Sequence, residues 1–216
     1  EAYIGRLIAK GYKVAICEQM EDPALAKGLV ERDIIRIITP GTVMTSSMLE
    51  EGRNNFICAV YRDSAGTGLC FCDISTGKTH LTAFSGPDRV EHVVNELGRF
   101  SPAEAVVNDG AASEKALTDA LTEKFRCRVE NGGEGRFRLA EAERNIRRQF
   151  GEEAFDRLPR TNPAAAMALG GLLHYLYETQ KTDLSHINDL DYYEQGRFME
   201  LDLTARRNLE LTETLR

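Results

Sequence analysis

The feature that most constrains the fold is a change of hydrophobic period between residues 55 and 130. Three short apolar runs alternate as strands do, and the turn sequences Ser64-Ala65-Gly66 and Ser75-Thr76-Gly77 separate them. The pattern then changes to helix, strand, helix, strand. The predicted strands are 55–62, 68–74, 78–84, 105–108 and 127–130, and the predicted helices are 87–99 and 113–124.

This order predicts an α/β fold in which a three-stranded antiparallel meander leads into βα units, as in RNase H-like domains. Two further helices, 139–150 and 164–178, follow, and residues 182–198 are predicted to be irregular. We therefore assign residues 54–187 to one complete RNase H-like domain.

Shorter pieces flank this domain. Residues 1–45 are predicted to form a helix closed by Gly11, a strand, a loop and a second strand that ends at Thr39-Pro40-Gly41. Residues 46–53 are polar and are predicted to be a linker, and residues 188–216 are predicted to begin a helical domain. Because the chain starts at Glu1 within a helical pattern and ends without a helix stop signal, we expect both flanking pieces to be truncated, one α/β and one helical.

The composition restricts the possible partners and the compartment. A net charge of −7 predicts weak binding of nucleic acid by this chain alone. Five cysteines, an odd number without a Cys-x-x-Cys pair, indicate reduced thiols in a cytoplasmic protein rather than disulfides or a metal site. The longest apolar stretch, 164–177, is interrupted by Gly170-Gly171 and is shorter than the ~20 residues of a membrane helix.

One segment imitates a nucleotide-binding loop. Residues 75–79 read Ser-Thr-Gly-Lys-Thr, but Cys72 stands where a P-loop requires its first glycine. A strand pattern, not a helix, follows Lys78. We therefore predict a hairpin turn here.

An RNase H-like fold also raises the possibility of a two-metal nuclease, which needs clustered carboxylates. The centre of the first strand, 57–60, contains no acid. Asp63 and Asp73 flank turns, where aspartate commonly caps the backbone. These positions favour turn formation over catalysis, and no nucleophile and base can be paired in the sequence.

The helix 139–150 has two different faces. Its apolar residues are predicted to face the core, and three arginines form a stripe on another face. The stripe is either an ordinary solvated face or a docking surface for a partner. The apolar set is Leu139, Ala142, Ile146 and Phe150, and the stripe is Arg144, Arg147 and Arg148.

Three segments resemble the MutS family of DNA mismatch-repair proteins. Residues 14–42, VAICEQMEDPALAKGLVERDIIRIITPGT, are similar to the end of the family's mismatch-recognition domain. Residues 71–77, FCDISTG, resemble a hairpin of its connector domain, and residues 199–211, MELDLTARRNLEL, resemble the entry to its core domain. The three segments occur in family order, so the resemblance spans essentially the whole chain.

The resemblance implies that the intact parent is a homodimer that binds mismatched duplex DNA, couples it to a distant ATPase and recruits MutL. The mismatch-reading Phe-x-Glu wedge would precede this chain, and the site for ATP and magnesium would follow Arg216. The chain itself would then be a non-catalytic connector without a cofactor. Candidate contacts are Lys27 and Arg32 for the DNA backbone, and Glu143, Arg144, Arg147 and Arg148 for MutL.

Two alternatives remain open at this point. One is a degenerate RNase H-like nuclease, which a divalent-metal nuclease assay would detect. The other is a MutS paralogue that acts in recombination. Retention of residues 14–42 favours the mismatch-repair protein over the recombination paralogue. A Phe-x-Glu motif upstream of Glu1 would decide between the mismatch-repair protein and the paralogue.

Overall fold

The computed structural model of the chain describes residues 2–22, 28–45, 54–160 and 163–194. The predicted linker 46–53, the candidate DNA contact Lys27 and the predicted core-domain segment from residue 195 onward lie outside the described residues.

A six-stranded mixed sheet is the centre of the molecule. β3, β4 and β5 form the predicted antiparallel meander, with Ala59 opposite Cys70 and Cys70 opposite Leu81. β6 adds beside β3 and β7 beside β6, both parallel, so the strand order is β7-β6-β3-β4-β5-β8. The strands are β3 (Phe56–Arg62), β4 (Thr67–Asp73), β5 (Lys78–Phe84), β6 (Glu104–Val107), β7 (Arg128–Asn131) and β8 (Asp189–Tyr192).

Helices cover both faces of this sheet. One face packs against α6 and α7 through residues such as Ala59 and Cys70. The opposite face packs against α2, α3 and α4 through residues such as Val60 and Phe71. Successive strand residues point to opposite faces, so a sheet buried on both sides needs apolar residues at nearly every position. The helices are α2 (Arg89–Phe100), α3 (Asp109–Ala112), α4 (Lys115–Asp119), α5 (Gly133–Arg136), α6 (Leu139–Phe150) and α7 (Ala164–Gln180).

A smaller unit precedes the sheet. α1 (Ala2–Ile8) leads through Gly11, whose φ of +80° closes the helix as predicted, into an antiparallel hairpin. Its strands are β1 (Val14–Gln19) and β2 (Arg32–Ile38), and a 3-10 turn at Pro40–Thr42 follows. Ile8, Ile38 and Val43 form its core.

The prediction for residues 182–198 was wrong at one point, because residues 189–192 form β8. β8 pairs in parallel with β5, from Lys78–Asp189 to Leu81–Tyr192. The strand has only four residues, and two of them are aspartates. Backbone pairing with the edge of the sheet therefore determines β8, and its sequence contains no long apolar alternation from which the strand could be predicted.

Two helical predictions also need correction. The single helix predicted for 113–124 is two pieces, α4 and a π turn at Ala120–Lys124, and a separate short helix that was not predicted, α3, precedes them. Asn108 caps α3, since its Oδ1 accepts from the Ala111 amide at 3.1 Å. Leu139, predicted to face the core, is 51% exposed. It is the first residue of α6, one turn short of the region that packs on α7.

Among the described residues, none of the helices has the length and apolar character that would let it cross a membrane.

Candidate functional site

The site that the fold presents most clearly is a junction where the first unit meets the main sheet. We call the described residues 2–22 and 28–45 the N-terminal unit, and the described residues 54–160 and 163–194 the sheet domain. The 3-10 turn at Pro40–Thr42 lies against β3 and β6. Gly41 permits this approach, because a Cβ at that position would stand 2.8 Å from the Cβ atoms of Glu104 and Ile57.

Glu104 is the centre of the junction and is fully buried. Its Oε2 accepts hydrogen bonds from the Thr39 hydroxyl and from the Gly41 amide, the latter at 3.0 Å. Its Oε1 accepts from the Tyr175 hydroxyl at 2.7 Å and from the Arg128 guanidinium at 2.8 Å. A carboxylate offers about four lone-pair sites, so these four donors satisfy it. A buried charge is tolerated only when it is paired and hydrogen-bonded in this way.

A second carboxylate, Glu130 of β7, lies beside the first. It forms ion pairs with Lys13 of the N-terminal unit and with Arg136 at 3.0 Å. Burial alone would raise the pKa of Glu130, but the hydrogen bonds and charges of Lys13 and Arg136 outweigh it and lower that pKa. Lys13 and Arg136 also stand over the Tyr175 ring, at 5.1 and 5.3 Å from its centroid. Burial, and then the negative charge of Glu104, raise the pKa of Tyr175, which therefore stays a neutral donor.

A third contact ties β2 to the end of α7. The Arg36 Nε donates to Gln180 Oε1 at 3.1 Å, and Gln180 Nε2 donates to the Ile37 carbonyl at 3.4 Å. Lys181, the C-cap of α7, lies 3.9 Å from Asp33. Polar contacts therefore cross the junction on three sides.

The predicted arginine stripe on α6 does not behave as one surface. Arg144 is 70% exposed and pairs only with Glu141 of its own helix among the contacts of the described residues. Arg148 is exposed and stands over the Tyr177 ring at 4.7 Å from its centroid.

Arg147, in contrast, is bound internally. Its guanidinium pairs with Glu143 and Asp156 at 3.0 Å each and donates to the Glu152 carbonyl. The hydrogen bond from Arg147 lowers the pKa of Asp156. Arg147 thus fastens the loop after α6, and Arg144 and Arg148 remain as the accessible cations of the stripe.

The other sequence candidates are distributed as follows. Arg32, at the start of β2, is exposed. Residues 75–77 form the predicted hairpin turn, Gly77 has φ +75° and Lys78 begins β5.

The two aspartates are turn formers, as predicted. Asp63 Oδ1 accepts from the amides of Ala65 and Gly66, and Asp73 Oδ1 accepts from the amide and hydroxyl of Ser75. Within the ranges that the structure describes, no three His, Cys, Asp or Glu side chains are grouped to hold a metal ion. The geometry gives no support to the nuclease alternative.

Reasoning from the sequence missed the junction itself. Glu104 lies just outside the predicted strand 105–108, and its burial depends on donors that lie 24–71 residues away along the chain. The one available signal was a lone carboxylate directly before an apolar strand. That signal predicts neither burial nor partners.

In the comparison with known proteins, each of the two units matches a family model. A family model described as MutS domain I matches residues 1–47, and one described as MutS domain II matches residues 55–188. The DNA mismatch repair protein MutS of Acetivibrio thermocellus is 41% identical over 100% of the chain, which covers 25% of that protein. The proteins of the same name from Symbiobacterium thermophilum and Clostridium novyi are each 42% identical, over 100% and 99% of the chain and 25% and 23% of their own lengths.

The chain therefore spans about a quarter of the length of the curated relatives it matches. The domain II model covers more than half of the chain, and the identity extends over its whole length. The resemblance inferred from the sequence is confirmed, and the chain belongs to the MutS family.

Proposed function

We propose that this chain is the connector portion of a DNA mismatch-repair protein, together with the end of its mismatch-recognition domain. The observation that supports this most directly is the match to MutS domains I and II in order along one chain. In this proposal the intact parent is a cytoplasmic homodimer. It binds mismatched duplex DNA, relays that event to an ATPase outside this chain, and recruits MutL.

The proposed connector is an RNase H-like domain over residues 54–187. The strand order supports it: a meander, β3-β4-β5, whose first strand is flanked by the parallel strands β6 and β7. Residues 1–45 would belong to the recognition domain and residues 188–216 to the start of the core domain, with 46–53 as the linker. In this division β8 would be a strand that the start of the core domain adds to the edge of the connector sheet. The role of such a connector is mechanical, since it carries a displacement from one end of the parent to the other.

The proposed contacts follow from exposure and charge. Arg32, and Lys27 outside the described residues, would touch the DNA backbone. The α6 face with Glu143, Arg144, Arg147 and Arg148 would dock MutL. In that face Arg144 and Arg148 would meet carboxylates of the partner, because guanidinium groups bind carboxylates in a planar, two-point geometry. Arg147 would act indirectly by holding the loop that borders the face.

The test compares the intact parent with the 216-residue chain on matched and mismatched duplexes. The parent is expected to bind the mismatch selectively and to recruit MutL in the presence of ATP. The chain alone is expected to bind neither ATP nor a mismatch, because its net charge is −7 and because, in this proposal, the wedge and the nucleotide site lie in other parts of the parent.

Weak binding by the chain that disappears with salt would agree with the proposal, since phosphate contacts alone behave in this way. Mismatch-selective binding by the chain at micromolar concentration, or a parent without mismatch selectivity, would contradict it.

A further inference from the structure

The contacts between the N-terminal unit and the sheet domain are unusual in chemistry. Two folded units that move independently commonly meet through a small, wet interface. Here the central contact is dry: Thr39, Thr42 and Glu104 have 0% exposure. The contact also contains a charged group, the Glu104 carboxylate. All four of its hydrogen bonds form only when both units are in place.

The two oxygens of Glu104 serve different units. Among the described residues, Oε2 accepts from Thr39 and Gly41, which belong to the N-terminal unit. Oε1 accepts from Arg128 and Tyr175, which belong to the sheet domain. A shift of the turn too small to admit water would leave Glu104 Oε2 and the Gly41 amide buried without partners, and each such loss is costly.

The shape of the contact adds to this restraint. Gly41 meets β3 and β6 so closely that it leaves no room for a Cβ. The ion pair between Lys13 and Glu130 and the hydrogen bonds of Gln180 to β2 lie around the turn. Contacts on three sides resist rotation about any one of them.

We propose that Glu104 is a positioning residue that locks the N-terminal unit to the sheet domain, so that the two move as one rigid body. A displacement of the β1–β2 hairpin then reaches the sheet directly and is not absorbed by a hinge at residues 39–42. This inference goes beyond the proposed function, because it concerns the chain alone and is tested without DNA, nucleotide or MutL.

The test is amide hydrogen exchange of the folded chain with Glu104→Gln. The glutamine keeps the side-chain shape, and its one oxygen is expected to face Arg128, the stronger donor. Its NH2 group then faces the Gly41 amide, and two donors cannot bond. We expect exchange at Gly41 and along β2 to rise at least about tenfold, with β3, β4 and β5 unchanged, which is a local opening.

Glu114→Gln is the matched control. Glu114 is also part-buried and pairs with Arg62 at 2.7 Å, but both residues belong to the sheet domain. Its loss is expected to leave exchange in the N-terminal unit at the wild-type rate.

Thr39→Val provides a second variant in case Glu104→Gln fails to fold. It removes one donor from the N-terminal side and leaves the bonds of Glu104 to Arg128 and Tyr175 intact. Faster exchange confined to the N-terminal unit in Glu104→Gln, or in Thr39→Val if Glu104→Gln does not fold, supports the lock. Unchanged exchange in the folded variant, or an equal rise in both units, would overturn it. The equal rise would mean that Glu104 only contributes to global stability.

Discussion

Gly170 of α7 lies against Ala142 of α6, and a Cβ at Gly170 would stand 2.2 Å from the Ala142 Cβ. The glycine therefore sets how closely the two helices approach. We expect Gly170→Ala to force them apart and to lower the free energy of unfolding by about 1–3 kcal/mol or more, the usual cost of overpacking a core. Urea denaturation monitored by circular dichroism measures this change.

Gly135→Ala is the control for that experiment. A Cβ at Gly135, in α5, meets nothing within 4 Å. Because alanine favours a helix more than glycine does, this variant should be neutral or more stable by up to about 1 kcal/mol. Equal stability of Gly170→Ala and the wild type would show that α6 does not pack on α7 at this distance.

The thiols are expected to differ sharply in reactivity. Cys17 is exposed on β1, whereas the other four cysteines are buried. Burial raises the pKa of Cys72 to about 12 and raises those of Cys58, Cys70 and Cys127 as well. Since the thiolate is the reactive form, we expect one thiol per chain to react rapidly with a thiol reagent at pH 8, and all five to react in denaturant.

Cys17→Ser should abolish the rapid phase. More than one fast thiol in the folded wild type would mean that the core around the buried cysteines opens to the reagent.

The meander could be predicted from the sequence because local patterns determine it. Strand alternation and the two turns gave β3, β4 and β5 to within about two residues, the usual precision for element boundaries. β8 could not be predicted in this way, because its partner β5 lies about a hundred residues earlier and the backbone supplies the pairing.

The candidate sites show the same division. The arginine stripe on α6 followed from helical spacing, and its exposure holds for Arg144 and Arg148. Arg147, in contrast, forms an ion pair with Asp156, which lies in the loop after the helix. Helical spacing does not predict that this loop folds back onto α6. Glu104 is the extreme case, since its four partners come from three elements of the fold: the 3-10 turn with its N-cap, β7 and α7.

Acid should weaken the junction through Glu130. Its pKa is lowered in the folded chain, and the unfolded value is about 4.3. The contribution of Glu130 to stability is therefore fully present above the unfolded pKa and is lost as the pH falls through the folded pKa. We expect the difference in unfolding free energy between wild type and Glu130→Gln to be constant above about pH 5 and to shrink below about pH 4.

Glu123, an exposed residue of the π turn, lies away from the junction, and Glu123→Gln removes the same charge there. Chemical denaturation of the three proteins between pH 3 and pH 7 separates the two positions. A difference between wild type and Glu130→Gln that does not vary with pH would show that Lys13 and Arg136 do not stabilise the charged form of Glu130.

The last prediction concerns MutL docking and rests on the proposed function. The side chain of Arg144 is 70% exposed, whereas Arg147 is paired with Asp156, so Arg144→Glu tests the face without disturbing the loop. We expect the stability to change by no more than about 0.5 kcal/mol, as for most surface substitutions. In the intact parent we expect MutL association at low salt to slow by about tenfold, because charges at an interface rim act mainly on the association rate.

Lys115→Glu is the control for the charge reversal. The Lys115 side chain is 87% exposed and lies on α4, on the other face of the sheet, so this variant should leave MutL association unchanged. Normal MutL association of the Arg144→Glu parent would identify the face as ordinary solvated surface, and loss of mismatch binding would instead assign it a part in relaying the recognition signal.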